Sequence, residues 1–306
     1  MALRIATFNL KDFFAARRDE ERGVIEAKLS NVAESLRRAG ADIVALQEVG
    51  SLPLLDRLVK AVPELGYGAP VVGSEDRRGI RNAILSRLPV QWSQVHQPKV
   101  LPFPPFVEGD PEPFPGRIPL RRGIVHVRVE AQGLAEVDVL TAHFKSNLPA
   151  RLKTKDGVEV PDTTPLAIGE SATRSLVQRA AEALYVRSLV DDLFARSPDH
   201  AICVLGDLND TLESMPVRLV RGIDTTSKHY LRAAAESLPE EGRYSCFHGG
   251  ERILIDHVLL SERLHRALRH FEIHNENVRY HGPHVDDTPL TEDSDHALCV
   301  VELDDT

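Results

Sequence analysis

Every confident apolar run in this 306-residue chain is short, rich in β-forming residues and flanked by polar side chains. The clearest case is Ala201-Ile-Cys-Val-Leu-Gly-Asp-Leu-Asn-Asp210, where four apolar residues run into Gly206 and then meet Asp207 and Asn209. An apolar run stopped by glycine reads as a buried strand reaching the edge of a core. If the chain stays extended past the glycine, residues two apart share a face, so a carboxylate and an amide stand together at one strand end. A polar turn is the plainer reading of the same residues. Several of the strands are apolar on both faces, which calls for two packed sheets beneath outer helices. The expected class is α/β.

Read in order, a strand over residues 4–10 carries Asn9 near its end. A helix over about 24–39 buries Leu29, Val32, Ala33 and Leu36 and stops at Gly40. Residues 42–48 make a second buried strand that ends in Gln47 and Glu48. Ser51 caps a short helix with Pro53 in its first turn. Strands follow over 82–90, 123–129 and 137–143. Val125, Val127 and Val129 alternate with His126 and Arg128, which leaves one face wet and makes His126 a surface residue. The longest helix spans about 171–194, with Leu176, Ala180, Leu184, Val190 and Leu193 inward. Strands over 201–210, 253–261 and 297–303 complete the pattern. The Pro-rich segment 97–119 and the polar segment 146–169 read as surface excursions. No repeat and no linker divides the chain, so residues 1–306 read as a single domain.

Composition excludes several classes. An apolar content of 42% with 27% charged residues is globular. No apolar run approaches the roughly 20 residues that cross a bilayer. The first strand begins at once, without a signal peptide, which points to a cytoplasmic protein; a trimmed leader would look the same. Three cysteines show no zinc spacing, and a net charge of −9 argues against a basic coat for nucleic acid while leaving room for a local basic groove. No protein partner is evident.

At the ends of separate strands stand Asn9, Glu48, His143, Asp207, Asn209, Asp256 and the pair Asp295-His296. These are oxygen donors and imidazoles with no thiolate among them. Such a set suits a hard divalent ion, Mg²⁺ or Mn²⁺, whose shell a substrate phosphate completes. Each residue alone has a plain structural use, as a cap, an edge charge or a turn. Their number, and their shared position beside apolar strands, sets the chemical reading ahead.

The ordered motifs Thr7-Phe-Asn-Leu10, Leu46-Gln-Glu-Val49, Asn82-Ala-Ile-Leu-Ser-Arg-Leu-Pro89, Thr141-Ala-His-Phe144, Gly206-Asp-Leu-Asn209, Ile255-Asp-His-Val258 and Ser294-Asp-His296 carry a resemblance. The chain resembles the endonuclease/exonuclease/phosphatase superfamily, most of all its bacterial nuclease-like members. That resemblance implies a four-layered α/β sandwich, two packed mixed β-sheets flanked by helices, with the site at one end. It implies Glu48 as principal metal ligand, assisted by Asn9 and Asp295. It casts Asp207 as the group that orients or deprotonates water, and Asn209 as a phosphate or water contact. His296 is set against the scissile phosphate and oriented by Asp256, and His143 donates to a phosphate or leaving oxygen. Asn82, Arg81 and Lys145 are secondary candidates for substrate binding.

The superfamily spans nucleic acids, lipid headgroups and small phosphoesters. Basic residues at 77–81, 117–122 and 145–155 flank the site strands and favour a metal-dependent nuclease acting on DNA. A hydrolase of smaller phosphoesters is the alternative, supported by the net charge and by acidic residues from Asp286-Asp287 to Glu292-Asp293. A third reading, a binding module without catalysis, is disfavoured because every principal motif position holds a competent residue.

Overall fold

Alternation along the first strand, β1 (Leu3–Phe13), sends Ile5 to one side and Ala6, Phe8 and Leu10 to the other, and the two sides enter different cores. The next strand, β2 (Ile43–Val49), divides in the same way, with Ile43 and Ala45 inward and Val44 and Leu46 outward. Helices α1 (Arg22–Ala39) and α2 (Leu52–Ala61) cover the outer side through Leu29, Val32, Leu36, Leu54 and Leu58. Gly40 closes α1 in the left-handed conformation, and the Ser51 side chain accepts from Leu54 N–H to start α2. The computed structural model describes residues 2–279 and 290–304, so the acidic pair Asp286-Asp287 lies outside the described residues.

Short β3 (Val71–Val72) and β4 (Arg81–Ser86) extend this sheet. A second sheet takes β5 (Val90–His96), β6 (Ile124–Ala131), β7 (Ala135–Thr141), β8 (Ala201–Asp207) and β9 (Arg232–Ala233). A small hairpin of β10 (Cys246–His248) and β11 (Glu251–Ile253) precedes β12 (Asp256–Leu260) of the second sheet, and β13 (Leu268–His274) and β14 (Leu298–Leu303) return to the first. The six-stranded sheets run β13-β14-β1-β2-β4-β3 and β5-β6-β7-β8-β12-β9. Each contains one parallel pair, β1 with β2 and β7 with β8, so both are mixed. Helices α3 (Pro165–Arg196) and α4 (Met215–Arg221) cover the second sheet, with Val186, Val190, Val217 and Val220 in its core. Ile5, Ile43, Ala45 and Ile84 join that same core from the first sheet. The result is the four-layered sandwich expected from the motifs. Among the described residues, no helix is long and apolar enough to cross a membrane.

Four local expectations need correction. Helix α3 begins at Pro165 and not near residue 171, because Thr164 caps it by accepting from Ala167 N–H. Its inward face is also turned: Leu176 is 45% exposed, while Ser175, Gln178, Arg179 and Glu182 are buried. The reason is that this half of α3 satisfies loop backbone. Ser175 Oγ donates to Leu148 O at 2.7 Å, and Glu182 Oε2 accepts from Lys145 N–H at 2.8 Å. Within the Pro-rich excursion, Leu101 and Ile118 are buried and joined by a backbone hydrogen bond, so its two ends belong to the core.

His126 is not a surface residue. It is 4% exposed, its Nε2 stands 2.6 Å from buried Asp138, and Trp92 packs edge-on against the ring. Asp138 also accepts from Arg128 Nε and pairs with His200; these partners outweigh its burial and hold its carboxyl well below the usual range. The ionised carboxylate takes Nε2–H of His126, which leaves Nδ1 to face His96 Nε2 at 3.3 Å. Burial, then the proximity of His126, lowers the pKa of His96 to about 4. A histidine depressed in the folded state binds its proton preferentially in the unfolded chain. Its contribution is therefore full above about 6.5 and is lost as pH falls toward about 4. Urea denaturation should show the stability gap between wild type and His96→Gln narrowing across that window. A gap independent of pH would contradict the assignment.

Candidate active site

Both sheets end at one pocket. From the first come Asn9 on β1, Glu48 on β2 and Asp295-His296 just before β14; from the second come His143 after β7, Asp207 on β8 and Asp256 on β12. Antiparallel register sets Asp256 directly across from Asp207, and a backbone bridge joins His296 to Cys246 beside them. Ligand atoms of Asp207, Asp256 and His296 all lie within 4.8 Å of one another. Gly206 makes this approach possible: a Cβ there would meet Ala142 O at 2.0 Å, and its φ is +136°.

The chain stays extended past that glycine only as far as Asp207. Asn209 is left-handed (φ 54°), and its N–H donates back to Asp207 Oδ1 at 2.9 Å, so the two side chains share the pocket through a turn. Asn209 Nδ2 donates to Phe144 O, which ties this turn to the His143 segment. Among the described residues, four of the five non-glycine residues with positive φ, namely Lys11, Asp12, Glu48 and Asn209, stand here. Each such residue costs roughly 1 kcal/mol or more, a concentration of strain expected at functional sites.

Asp207 Oδ2 accepts from Asn9 Nδ2 at 2.9 Å and lies 3.4 Å from His143 Nε2. Burial, then the charge of Asp256, pushes the Asp207 pKa up. His296 Nδ1 stands 2.7 Å from Asp256 Oδ2. Burial opposes a charge on this ring, but Asp256, Asp207 and Asp295 outweigh it and hold the imidazole pKa well above its ordinary value. His143 goes the other way. Burial, with Arg122, His296 and Arg78 nearby, keeps it neutral. The pocket thus pairs a charged imidazole with a neutral one, beside a carboxylate whose affinity for protons is enhanced.

Glu48 Oε2 accepts from Asp12 N–H at 2.8 Å, while Oε1 is 4.0 Å from His143 Nε2. Asn9 Oδ1 accepts from Lys11 N–H at 3.0 Å, and Asp295 Oδ2 meets Lys11 Nζ at 2.7 Å. Oxygen donors without any thiolate fit a hard divalent cation. A charged His296 has no lone pair to offer on either nitrogen. Among the described residues, the cluster whose ligand atoms lie close enough to hold an ion is Asp207, Asp256 and His296, with Glu48 close to the same pocket through His143.

The secondary candidates make their hydrogen bonds outside this cluster. Asn82 is fully buried and donates to Gly123 O. Arg81 pairs with Glu75, and Lys145 Nζ turns back onto Ser146 and Leu148 of its own loop. Sequence reasoning missed Lys11, although it is a cation two residues after Asn9 in an apolar strand. It also missed Glu182, and it placed Arg122 in the basic rim, whereas that guanidinium is buried and donates to the carbonyls of His143 and Phe144.

The endonuclease/exonuclease/phosphatase family profile matches residues 7–296. The chain belongs to the endonuclease/exonuclease/phosphatase family. Members of this family are phosphoester hydrolases. No curated protein matches the chain significantly. Among solved structures, truncated Caenorhabditis elegans TDP2 is similar at a TM-score of 0.60 and 16% identity, covering 99% of this chain and 97% of that one. The Bacteroides thetaiotaomicron mannosyl-6-phosphatase Bt3783 gives 0.59 and 18%, with 99% of each chain covered. The 3′ phosphatase NExo from Neisseria, bound to a product DNA hairpin, gives 0.58 and 19%, covering 99% and 100%. At these identities the likeness speaks for the fold of the family member, not for its substrate.

Proposed function

We propose that this chain is one domain and a divalent-metal-dependent phosphodiester hydrolase that cleaves DNA. The observation that carries the reading is the single pocket in which Asp207, His143 and the Asp256–His296 pair meet Glu48. Bound at Glu48 with Asn9 and Asp295, Mg²⁺ or Mn²⁺ would supply Lewis-acid polarisation of a phosphate oxygen. Asp207, raised in pKa and held by Asn9 and Asn209, accepts a proton from the attacking water. His296, kept charged by Asp256, faces the phosphate as negative charge develops. Neutral His143 keeps a ring N–H to donate to a phosphate or leaving oxygen.

DNA is favoured by cations on the surface that make no ion pair among the described residues: Arg77, Arg117, Arg121 and Lys155. The basic rim is nonetheless weaker than its composition suggests, because Arg78, Arg81, Arg122, Arg151 and Lys153 pair with Asp12, Glu75, Asp76, Glu159 and Asp162. That neutralisation supports the second reading, a hydrolase of smaller phosphoesters.

One screen separates the two. Plasmid DNA, a labelled oligonucleotide and chromogenic phosphomono- and diesters are incubated with Mg²⁺, Mn²⁺ or chelator. Metal-dependent nicking of the plasmid is expected, with affinity falling at a log–log salt slope of roughly −2 to −4, about −0.9 per phosphate contacted. Intact DNA alongside turnover of a small ester would establish the second reading. Glu48→Gln keeps the size of the side chain and removes its charge, so calorimetry should show Mn²⁺ binding weakened by about tenfold or more. Undiminished binding would remove Glu48 from the ligand set.

A further inference from the structure

Two imidazoles outside the active site face each other across the second sheet. Register pairs His96, at the end of the edge strand β5, with Ile124, and Gln94 with His126 of β6, so the two histidines are diagonal neighbours on one face. His96 Nε2 lies 3.3 Å from His126 Nδ1. Two nitrogens at a tetrahedral angle, each about 2.0–2.1 Å from one ion, lie roughly 3.3 Å apart. Among the described residues, the hydrogen bonds of this cluster lead to Asp138, Arg128 and His200 and to none of the pocket residues.

The proton positions suit an ion. Asp138 Oδ1 takes Nε2–H of His126, which leaves the Nδ1 lone pair facing His96. A carboxylate behind a metal-binding imidazole fixes its ring in this way and raises its basicity. That carboxylate is completely buried, and its Oδ2 is held by Arg128 Nε at 3.0 Å and His200 Nε2 at 2.5 Å. His96 is neutral at pH 7, and its Nδ1 has no protein partner among the described residues, so Nδ1 can carry the ring proton and free Nε2. Trp92 and Gln94 beside the pair are exposed, which leaves room for water to complete a shell. A direct N–H···N bond is the plain alternative, and at 3.3 Å it is long.

We propose that His96 and His126 together bind a borderline divalent ion of the Zn²⁺ or Cu²⁺ class, oriented by Asp138, and that the ion clips the edge strand β5 to β6. Imidazole ligands select such ions, whereas the oxygen donors of the active site suit Mg²⁺ and Mn²⁺. The site stands whether or not the catalytic reading holds.

Trp92 is the sole tryptophan of the chain and packs on His126 with ring centroids 4.9 Å apart, so its fluorescence reports an ion there. Titrating wild type with Cu²⁺ should give saturable quenching that excess Zn²⁺ reverses. His96→Gln should raise the Cu²⁺ concentration at half-quenching by about tenfold or more, while Glu48→Gln should quench as wild type does. Electron paramagnetic resonance of the Cu²⁺ complex should show two imidazole nitrogens in wild type and at most one in His96→Gln. Zn²⁺ should raise the midpoint of thermal unfolding more in wild type than in His96→Gln, because an ion bound to the folded state stabilises it. Circular dichroism checks the fold, and His96→Asn replaces the glutamine variant if that one fails to fold. Equal quenching in wild type and His96→Gln, no saturable quenching in wild type, or an equal thermal shift in both would overturn the proposal. Quenching lost in Glu48→Gln and kept in His96→Gln would overturn it by moving the ion to the active site.

Discussion

Replacing Asp207 with asparagine is expected to lower kcat by about 10³-fold while KM changes little. The substitution keeps the shape of the side chain and its amide oxygen can still accept from Asn209 N–H, so the turn that follows β8 survives. What disappears is the capacity to take a proton. Asp207 is the carboxylate that burial and the opposing Asp256 make more basic, and it is fixed on Oδ2 by Asn9. A group that receives a proton only as water attacks contributes to the transition state and not to substrate binding. The measurement is steady-state kinetics on whichever diester the screen identifies, with circular dichroism to show an intact fold. A variant retaining more than about a tenth of wild-type kcat would mean that another group takes the proton.

The layered fold was legible because apolar alternation in β1 and β2 reports directly which residues face which core. The strand-end residues were legible for a related reason: Glu48, His143 and Asp207 interrupt or end apolar runs, where a polar side chain stands out. Other features depend on information that a one-dimensional pattern lacks. Period-two alternation assigned His126 to a face but said nothing of what covers that face, and Asp138 with Trp92 covers it. The inward face of α3 looked wrong by hydropathy because its first half serves loop carbonyls and amides through Ser175, Arg179 and Glu182. Nothing in residue type announces the left-handed pair at Lys11 and Asp12. Charge counts along the rim could not reveal that half of those arginines and lysines are matched by nearby acids. The direct opposition of Asp256 and Asp207 is set by register between strands distant in sequence, which patterning leaves open.

The strongest expected non-additivity lies between Asp256 and His296. Asp256 is completely buried, holds His296 Nδ1 at 2.7 Å, and donates its backbone N–H to Ser245 Oγ, so its position is fixed from two sides. Ser294 fixes the other partner, accepting from His296 N–H while donating to Asn9 O. If the carboxylate serves to orient the imidazole and keep it charged, Asp256→Asn leaves a ring with the wrong proton and the wrong charge. Either Asp256→Asn or His296→Ala should then lower kcat/KM by about 10³–10⁴-fold, and the double variant should lose little more than the worse single one. Independent residues would multiply their losses, to about 10⁶-fold or beyond. Glu48 lies outside this pair, so Mn²⁺ affinity should stay within about threefold of wild type in all three proteins. Multiplicative losses would show that Asp256 acts on the substrate by itself, and weakened metal binding would place it in the ligand set.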